Sequence, residues 1–401
     1  MAVLLAEDER VVGPGTLPAA DEEALFREAR RLRRRRWIKG ALAVAVLVGV
    51  VVGIVSLVAA PGGHRTTAAG AATVGILPNG PLAKLTIAGP LAVAGDGALY
   101  VTDLSSSSLY PGGDRILVRL PDGRFRVVAG DGRRGFSGDG GRAVDAELSG
   151  VSDLVFARDD TLYIADGARV RTISRDGVIR TIAGNGKRGE TIANGTPALA
   201  AALSESAGNP LEIALSPTGE LYVATGARQL LRLAANGRLY NVRAVFTAGR
   251  WKGQSVGGWY PIAIDAHGNI DEGGGPGGRV ITQVAPDGVA HRLAGFARGS
   301  GGSNPILQTG PGGAVYVEHE GISRIQGNRL LPAYKGTPID SDELRLNGQY
   351  FPTLYFAFAP NGTLYADDLP GNIGFEFHQQ LLAVRDHHTS LLWQEHNKVP
   401  H

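Results

Sequence analysis

Apolar and polar residues alternate in short runs along most of this chain, and the runs return in a fixed order. A stretch such as LEIALS (211–216) turns and continues as LYVA (221–224). Elsewhere a third run follows, as in RVRTIS (169–174), and an Asp-Gly turn leads into VIRTIAG (178–184). A period of two over four to six residues reads as half-buried β-strand. One phrase marks each unit: GALYVTD (97–103), DTLYIAD (160–166), GELYVAT (219–225), GAVYVEH (313–319) and GTLYADD (362–368), with a worn copy, GNIDEGG, at 268–274. The marked positions are Tyr100, Tyr163, Tyr222, Asp271, Tyr316 and Tyr365, spaced 63, 59, 49, 45 and 49 residues apart.

Turn chemistry supports hairpins inside each unit. Asp122-Gly123, Asp176-Gly177, Asn236-Gly237, Asp287-Gly288 and Asn361-Gly362 stand between β-rich runs, and such dipeptides supply the positive φ that tight hairpins need. Several short strands repeated at 40–50 residues predict a β-propeller. The physical cause is burial: a four-stranded sheet cannot hide both faces, so the sheets must stack around an axis. Six units predict an all-β, six-bladed propeller over residues 81–398. PLAKLTIAG (81–89) copies the unit-ending strand more closely than TSLLWQE (389–395), so the N-terminal strand is expected to fill the outer slot of the last blade.

Residues 159–184 (DDTLYIADGARVRTISRDGVIRTIAG) resemble NHL-type repeats almost throughout, as does the connector GDGRRGFSGDGGRAVDAEL (130–148), which has Arg142 where that family has proline. A second connector, GNGKRGETIANGTPALAAAL (184–203), keeps the glycine spacing but has lost Phe-Ser-Gly-Asp. The resemblance covers about residues 85–370 and implies a bacterial NHL-repeat propeller.

Hydropathy changes the picture at the N-terminus. Residues 41–60 are 20 uncharged residues, twelve of them Leu, Ile or Val. At about 1.5 Å per residue a helix there spans roughly 30 Å, the thickness of a hydrocarbon core. Nine basic residues fall within 1–40, mostly just before that run, so the positive-inside rule predicts a single-pass membrane protein with a cytoplasmic basic tail (1–40), a transmembrane helix (41–60), a flexible linker (61–80) and the propeller outside the cytoplasm. Gly49 and Gly53 form a GxxxG pair, a contact suited to a weak dimer. The 401-residue chain holds 40 Lys and Arg against 38 Asp and Glu, and outside the tail the counts are 31 of each. A neutral propeller lacks the basic footprint of a nucleic-acid binder. There is no cysteine, so an exported domain must rely on core size rather than disulfides.

Candidate chemistry is sparse. Two GxGxxG strings, 130–135 and 184–189, recur at one repeat position between blades rather than opening a helix, so they read as connector glycines. Ser255 sits in a GxSxG string but without the strand-to-helix turn a nucleophile elbow requires. Asp139 in FSGDGG suits a local Asx-type turn better than a cation site. The histidines after the linker, His267, His291 and His319 with a C-terminal group of His378, His387, His388, His396 and His401, show no recurring carboxylate partner. Asp103, Asp166 and Asp367 end the second strand of their units, and Arg115, Arg169 and Arg228 open or approach the third. An Asp–Arg pair there would cap the hairpin; failing that, Asp103, Asp166, Asp367 and Arg169 are the candidate ligand rim. No cofactor, metal or catalytic residue is assigned. The expected function is a membrane-anchored binding or sensing scaffold whose partners are the bilayer, through residues 41–60, and an extracytoplasmic protein, peptide or glycan. The alternative is a metal-dependent propeller lyase or lactonase-like hydrolase.

Overall fold

A computed structural model describes residues 87–394, apart from 88, 104–113, 188, 190, 204–210, 228, 257–261, 274–279, 296–305, 319–321, 328, 335–344, 347–348, 351–354, 369–379 and 387. The tail, the apolar run 41–60 with Gly49 and Gly53, and the linker lie outside the described residues. Among the described residues no helix is long and apolar enough to cross a membrane.

Among the described residues six blade sheets follow one another, each with four antiparallel strands in chain order from the inside outward, and a two-stranded ribbon pairs Arg345–Leu346 with Gln349–Tyr350. The second is typical: Val151–Phe156, Leu162–Asp166, Arg169–Ile173 and Ile179–Ala183. The innermost strands of the six are Ala92–Val93, Val151–Phe156, Glu212–Leu215, Ile262–Ile264, Ile306–Thr309 and Tyr355–Phe358. Each touches the next, and the sixth touches the first, so the ring closes. The chain is a six-bladed β-propeller.

The core lies between blades rather than within one. Six clusters of buried apolar side chains each combine two neighbouring sheets. Ile164 and Ile179 pack with Ile116 and Ala129 at the first seam, and Leu99 and Leu117 pack with Ala357 and Leu381 where the ring closes. Polar latches reinforce individual seams. The Val151 N–H donates to Asp114 Oδ2 at 2.6 Å, Ser152 Oγ donates to Leu211 O at 2.7 Å, and Thr309 Oγ1 donates to Ile264 O at 2.8 Å.

The closure differs from expectation. His388–Gln394 is the fourth strand of the last blade, paired along Gln380–Arg385. Of the 81–89 segment, Ile87 bridges Asp103 in the first blade and is fully buried at the closing seam. Sequence similarity to the unit-ending strands therefore misassigned that segment: a strand contiguous with its hairpin partner fills the slot without bringing the N-terminus across. The fourth sheet is also wider than expected, because Ala244–Phe246 adds to Val289–Gly295 in parallel and Ser255–Val256 pairs beyond it. Ser255 is thus an exposed residue on a sheet edge.

The two glycine-rich connectors cross onto the outer strand of the following blade in the same way. Gly130 N–H donates to Ala143 O and Gly184 N–H to Ala198 O, at 3.0 and 2.9 Å. A β-carbon at Gly184, which has φ +89°, would collide with the backbone of Ala168 and Arg169. Gly184→Ala is expected to cost about 3 kcal/mol by combining positive-φ strain with overpacking, read as a lower urea midpoint with an unchanged slope.

Candidate functional site

The inner strands enclose a central channel of about 930 Å³. One end is ringed by the turns between first and second strands, including Arg158 and Asp159, Ser216–Gly219, Asp265 and Gly310, Gly312 and Gly313. At its other end, where the inner strands begin, stand Asp153 and Glu212 on neighbouring blades.

Asp153 is buried and acts as a seam latch. Its Oδ1 accepts from its neighbour Leu154 N–H and its Oδ2 from Ile213 N–H of the next blade, both at 2.8 Å. Burial pushes its carboxyl up to about 7 against the pull of those two N–H groups. Glu212, half-buried along the channel, is pushed well up by enclosure and then by the Asp153 charge. Two carboxyls in one desolvated site cannot both ionise cheaply, so this pair retains a proton near neutrality. Tyr355, on the inner strand of the sixth blade, is pushed up to about 12 by burial, with the charges of Glu212, Asp153 and Asp367 adding to it. Asp153 and Glu212 escaped the sequence reading because they fall outside the recurring phrase; the available signal was a carboxylate inside an otherwise apolar first strand.

The sequence candidates lie elsewhere. Asp103, Asp166 and Asp367 are all buried, with at most 1% of their surface exposed. Asp166 Oδ1 accepts from Ser149 N–H at 2.6 Å, Ser149 Oγ at 2.9 Å and Gly150 N–H at 3.1 Å. Its Oδ2 accepts from Arg171 Nη1 at 3.2 Å. Asp367 does not share the Asp166 position: it faces Tyr355 across the ladder as the second residue after its tyrosine, whereas Asp166 is the third. The register counterpart of Asp166 is the next residue, Asp368. Arg169 is the cross-strand neighbour of Asp166, but its guanidinium donates to Asn185 O at 3.3 Å and lies 3.5 Å over the Phe136 ring. Arg228, His319, His378, His387, His396 and His401 lie outside the described residues.

The residue that sequence reasoning missed is Arg171, whose side chain is wholly buried. It stands opposite buried Ile164 across the ladder, next to a register shift at Val170/Arg171, and lies beneath the first connector. There Nη2 donates to Ser137 O at 2.7 Å and Asp139 Oδ1 at 2.8 Å, and Nη1 donates to Glu147 O at 3.0 Å and to Asp166. Asp139 Oδ2 also accepts from Thr181 N–H at 3.1 Å. Asp139 therefore tethers the connector to the second blade, correcting the local-turn expectation. Burial raises its carboxyl, but the hydrogen bonds from Thr181 and Arg171 outweigh that and hold it below the usual range.

Residues 92–199 match the family model described as the Teneurin NHL domain. Teneurin-m of Drosophila melanogaster is 34% identical over 96 residues, which are 22% of this chain and 4% of that protein. Human Teneurin-1 is 30% identical over 94 residues, 22% of this chain and 3% of that protein. The chain thus spans a few per cent of the length of these curated relatives. Among solved structures, a streptogramin B lyase aligns over 77% of this chain and 83% of its own at 12% identity and a TM-score of 0.43. A gluconolactonase from Xanthomonas campestris aligns over 71% and 83% at 14% identity and a TM-score of 0.44.

Proposed function

We propose, from the premise that this chain is an NHL-repeat β-propeller, that it is a membrane-anchored binding scaffold presenting its channel mouth outside the cytoplasm. Residues 41–60 hold it in the bilayer, residues 1–40 remain cytoplasmic, and the ligand is an extracytoplasmic protein, peptide or glycan. The observation that carries the binding reading is the ring of turns at one end of the channel. Turns from four consecutive blades converge there on rigid strands, and they differ in sequence (ARDD, SPTG, DAHG and GPGG). Loops of differing chemistry held by a stiff scaffold are how repeat folds make recognition surfaces.

The test reverses charge at the mouth with Arg158→Glu and Asp159→Lys, both remote from the buried seams. The double variant should keep the circular dichroism of the parent while losing about tenfold or more in binding to the native cell surface, the effect of 1.4 kcal/mol. Equal binding by parent and variant would overturn the mouth as the recognition surface. A label appended after His401 should react with a membrane-impermeant reagent on intact cells; protection there would overturn the topology. The rival lyase or lactonase reading would use Asp153 and Glu212, and it predicts a stoichiometric divalent ion that Asp153→Asn releases.

A further inference from the structure

In five of the six blades the second strand carries a tyrosine that fills space toward the next blade. Tyr100 meets Phe156 edge-on at a centroid separation of 4.8 Å, and Tyr316 meets Phe358 at 4.4 Å. The fourth blade breaks the rule. Asp271 pairs with Ala263 and Gln283 in the register that Tyr222 keeps with Ala214 and Arg232. Where the ring is missing, a cavity of about 320 Å³ opens between the fourth and fifth blades. That is the lower end of the range for small-molecule sites, about 300–1,000 Å³.

The cavity is chemically two-ended. Asp271 is 1% exposed; Gln283 Nε2 donates to its Oδ1 at 3.0 Å, and its Oδ2 has no hydrogen-bond partner among the described residues. Burial, helped by the Asp265 charge, pushes this carboxyl up to about 7 despite the Gln283 hydrogen bond, the state of a carboxylate lacking a cation. Asp265 is a poorer ligand because its turn already uses it: its oxygens accept from His267 N–H, Asn269 N–H and Asn269 Nδ2. On the fifth-blade wall stands Arg324, an exposed guanidinium with no ion pair among the described residues. Asp271 and Arg324 thus line one pocket without bonding each other. A buried charge is costly until paired, and a guanidinium fork matches a carboxylate.

We infer that this inter-blade pocket binds a small zwitterion of the amino-acid type, its ammonium on Asp271 and Gln283 and its carboxylate on Arg324. The site is independent of the channel mouth and of the membrane topology. It exists because one repeat exchanged a space-filling ring for a charge.

The experiment is calorimetric titration of the full chain with glycine, L-alanine and L-valine, and with methylamine and acetate as half-ligands. At least one amino acid should bind saturably, about tenfold or more tighter than either half-ligand, since each end supplies a charge-assisted hydrogen bond. Arg324→Gln, a change on an exposed wall, should weaken that binding by a similar factor. Asp271→Tyr restores the ring that five sister blades carry; it should abolish binding while melting no lower than the parent. Absence of saturable binding by all three amino acids, or equal binding by the parent and Asp271→Tyr, would overturn the assignment and leave a plain packing defect.

Discussion

Arg171→Met lowers folding stability by about 3–5 kcal/mol, the loss expected when one member of a buried ionic cluster is deleted and its partners are stranded. The guanidinium serves four acceptors at once: the Ser137 and Glu147 carbonyls, Asp139 and Asp166. Removing it leaves Asp166 buried with its serine and glycine donors but no guanidinium bonded to it, and frees the first connector from the blade it crosses. Phe136 would lose the Arg171 guanidinium 5.0 Å from its ring, keeping only that of Arg169. Arg171→Lys retains charge but cannot form the planar fork, so it should fall between parent and Met. Asp139→Asn should cost about 1 kcal/mol, because Asp139 is partly exposed and an amide can still accept one of its bonds. Urea denaturation followed by circular dichroism checks the order Met, Lys, Asn in decreasing loss. A Met variant with the parent's midpoint would mean that the connector is held by its backbone bonds alone.

The fold was legible because its signals are periodic. Alternation, Asp-Gly turns and a recurring Gly-x-Leu-Tyr report the same blade repeatedly, so a worn copy such as 268–274 does not hide the architecture. The connectors were legible for the same reason, although their purpose was not. Arg171 carries no signal in the recurring phrase; its inward place shows in the ladder, where it stands opposite buried Ile164 as Leu231 stands opposite buried Val223 in the next blade. Asp367 was placed one residue out because LYADD offers two adjacent carboxylates, and a strand gives opposite faces to neighbours. The closing strand was misassigned since likeness to IRTIAG measures what an outer strand needs, which both termini satisfy. The channel pair lay outside the recurring phrase, yet Asp153 and Glu212 share one repeat position, ten residues before Tyr163 and Tyr222, and face Ala165 and Ala224 in the same ladder register. Aligning the units brings the two carboxylates into one column, and the contact between consecutive inner strands brings them together in space.

That pair sets the second large effect, a stability that falls as the solution becomes more alkaline. Asp153 has an ordinary carboxyl value of 3.8 when unfolded and about 7 when folded. A raised carboxyl means that the folded state holds the proton more tightly, so its contribution is fully present below the unfolded value and is lost as pH rises through the folded one. About three units at 1.36 kcal/mol each give a loss on the order of 4 kcal/mol between pH 4 and 8 from this residue. Glu212 shifts in the same direction. Asp139, held low by its hydrogen bonds, works oppositely and loses its contribution only below the ordinary carboxylate range, leaving pH 5–8 to the raised groups. Asp153→Asn separates the cause from the background. Its single carbonyl can accept from Ile213 or Leu154 but not both, at a cost of about 1 kcal/mol at pH 5. At pH 8 the parent bears an ionised buried carboxyl that the variant lacks, so the variant becomes the more stable. The two stability curves must therefore cross between pH 5 and 8, and parallel curves from urea midpoints across that range would remove Asp153 as the titrating latch of the second seam.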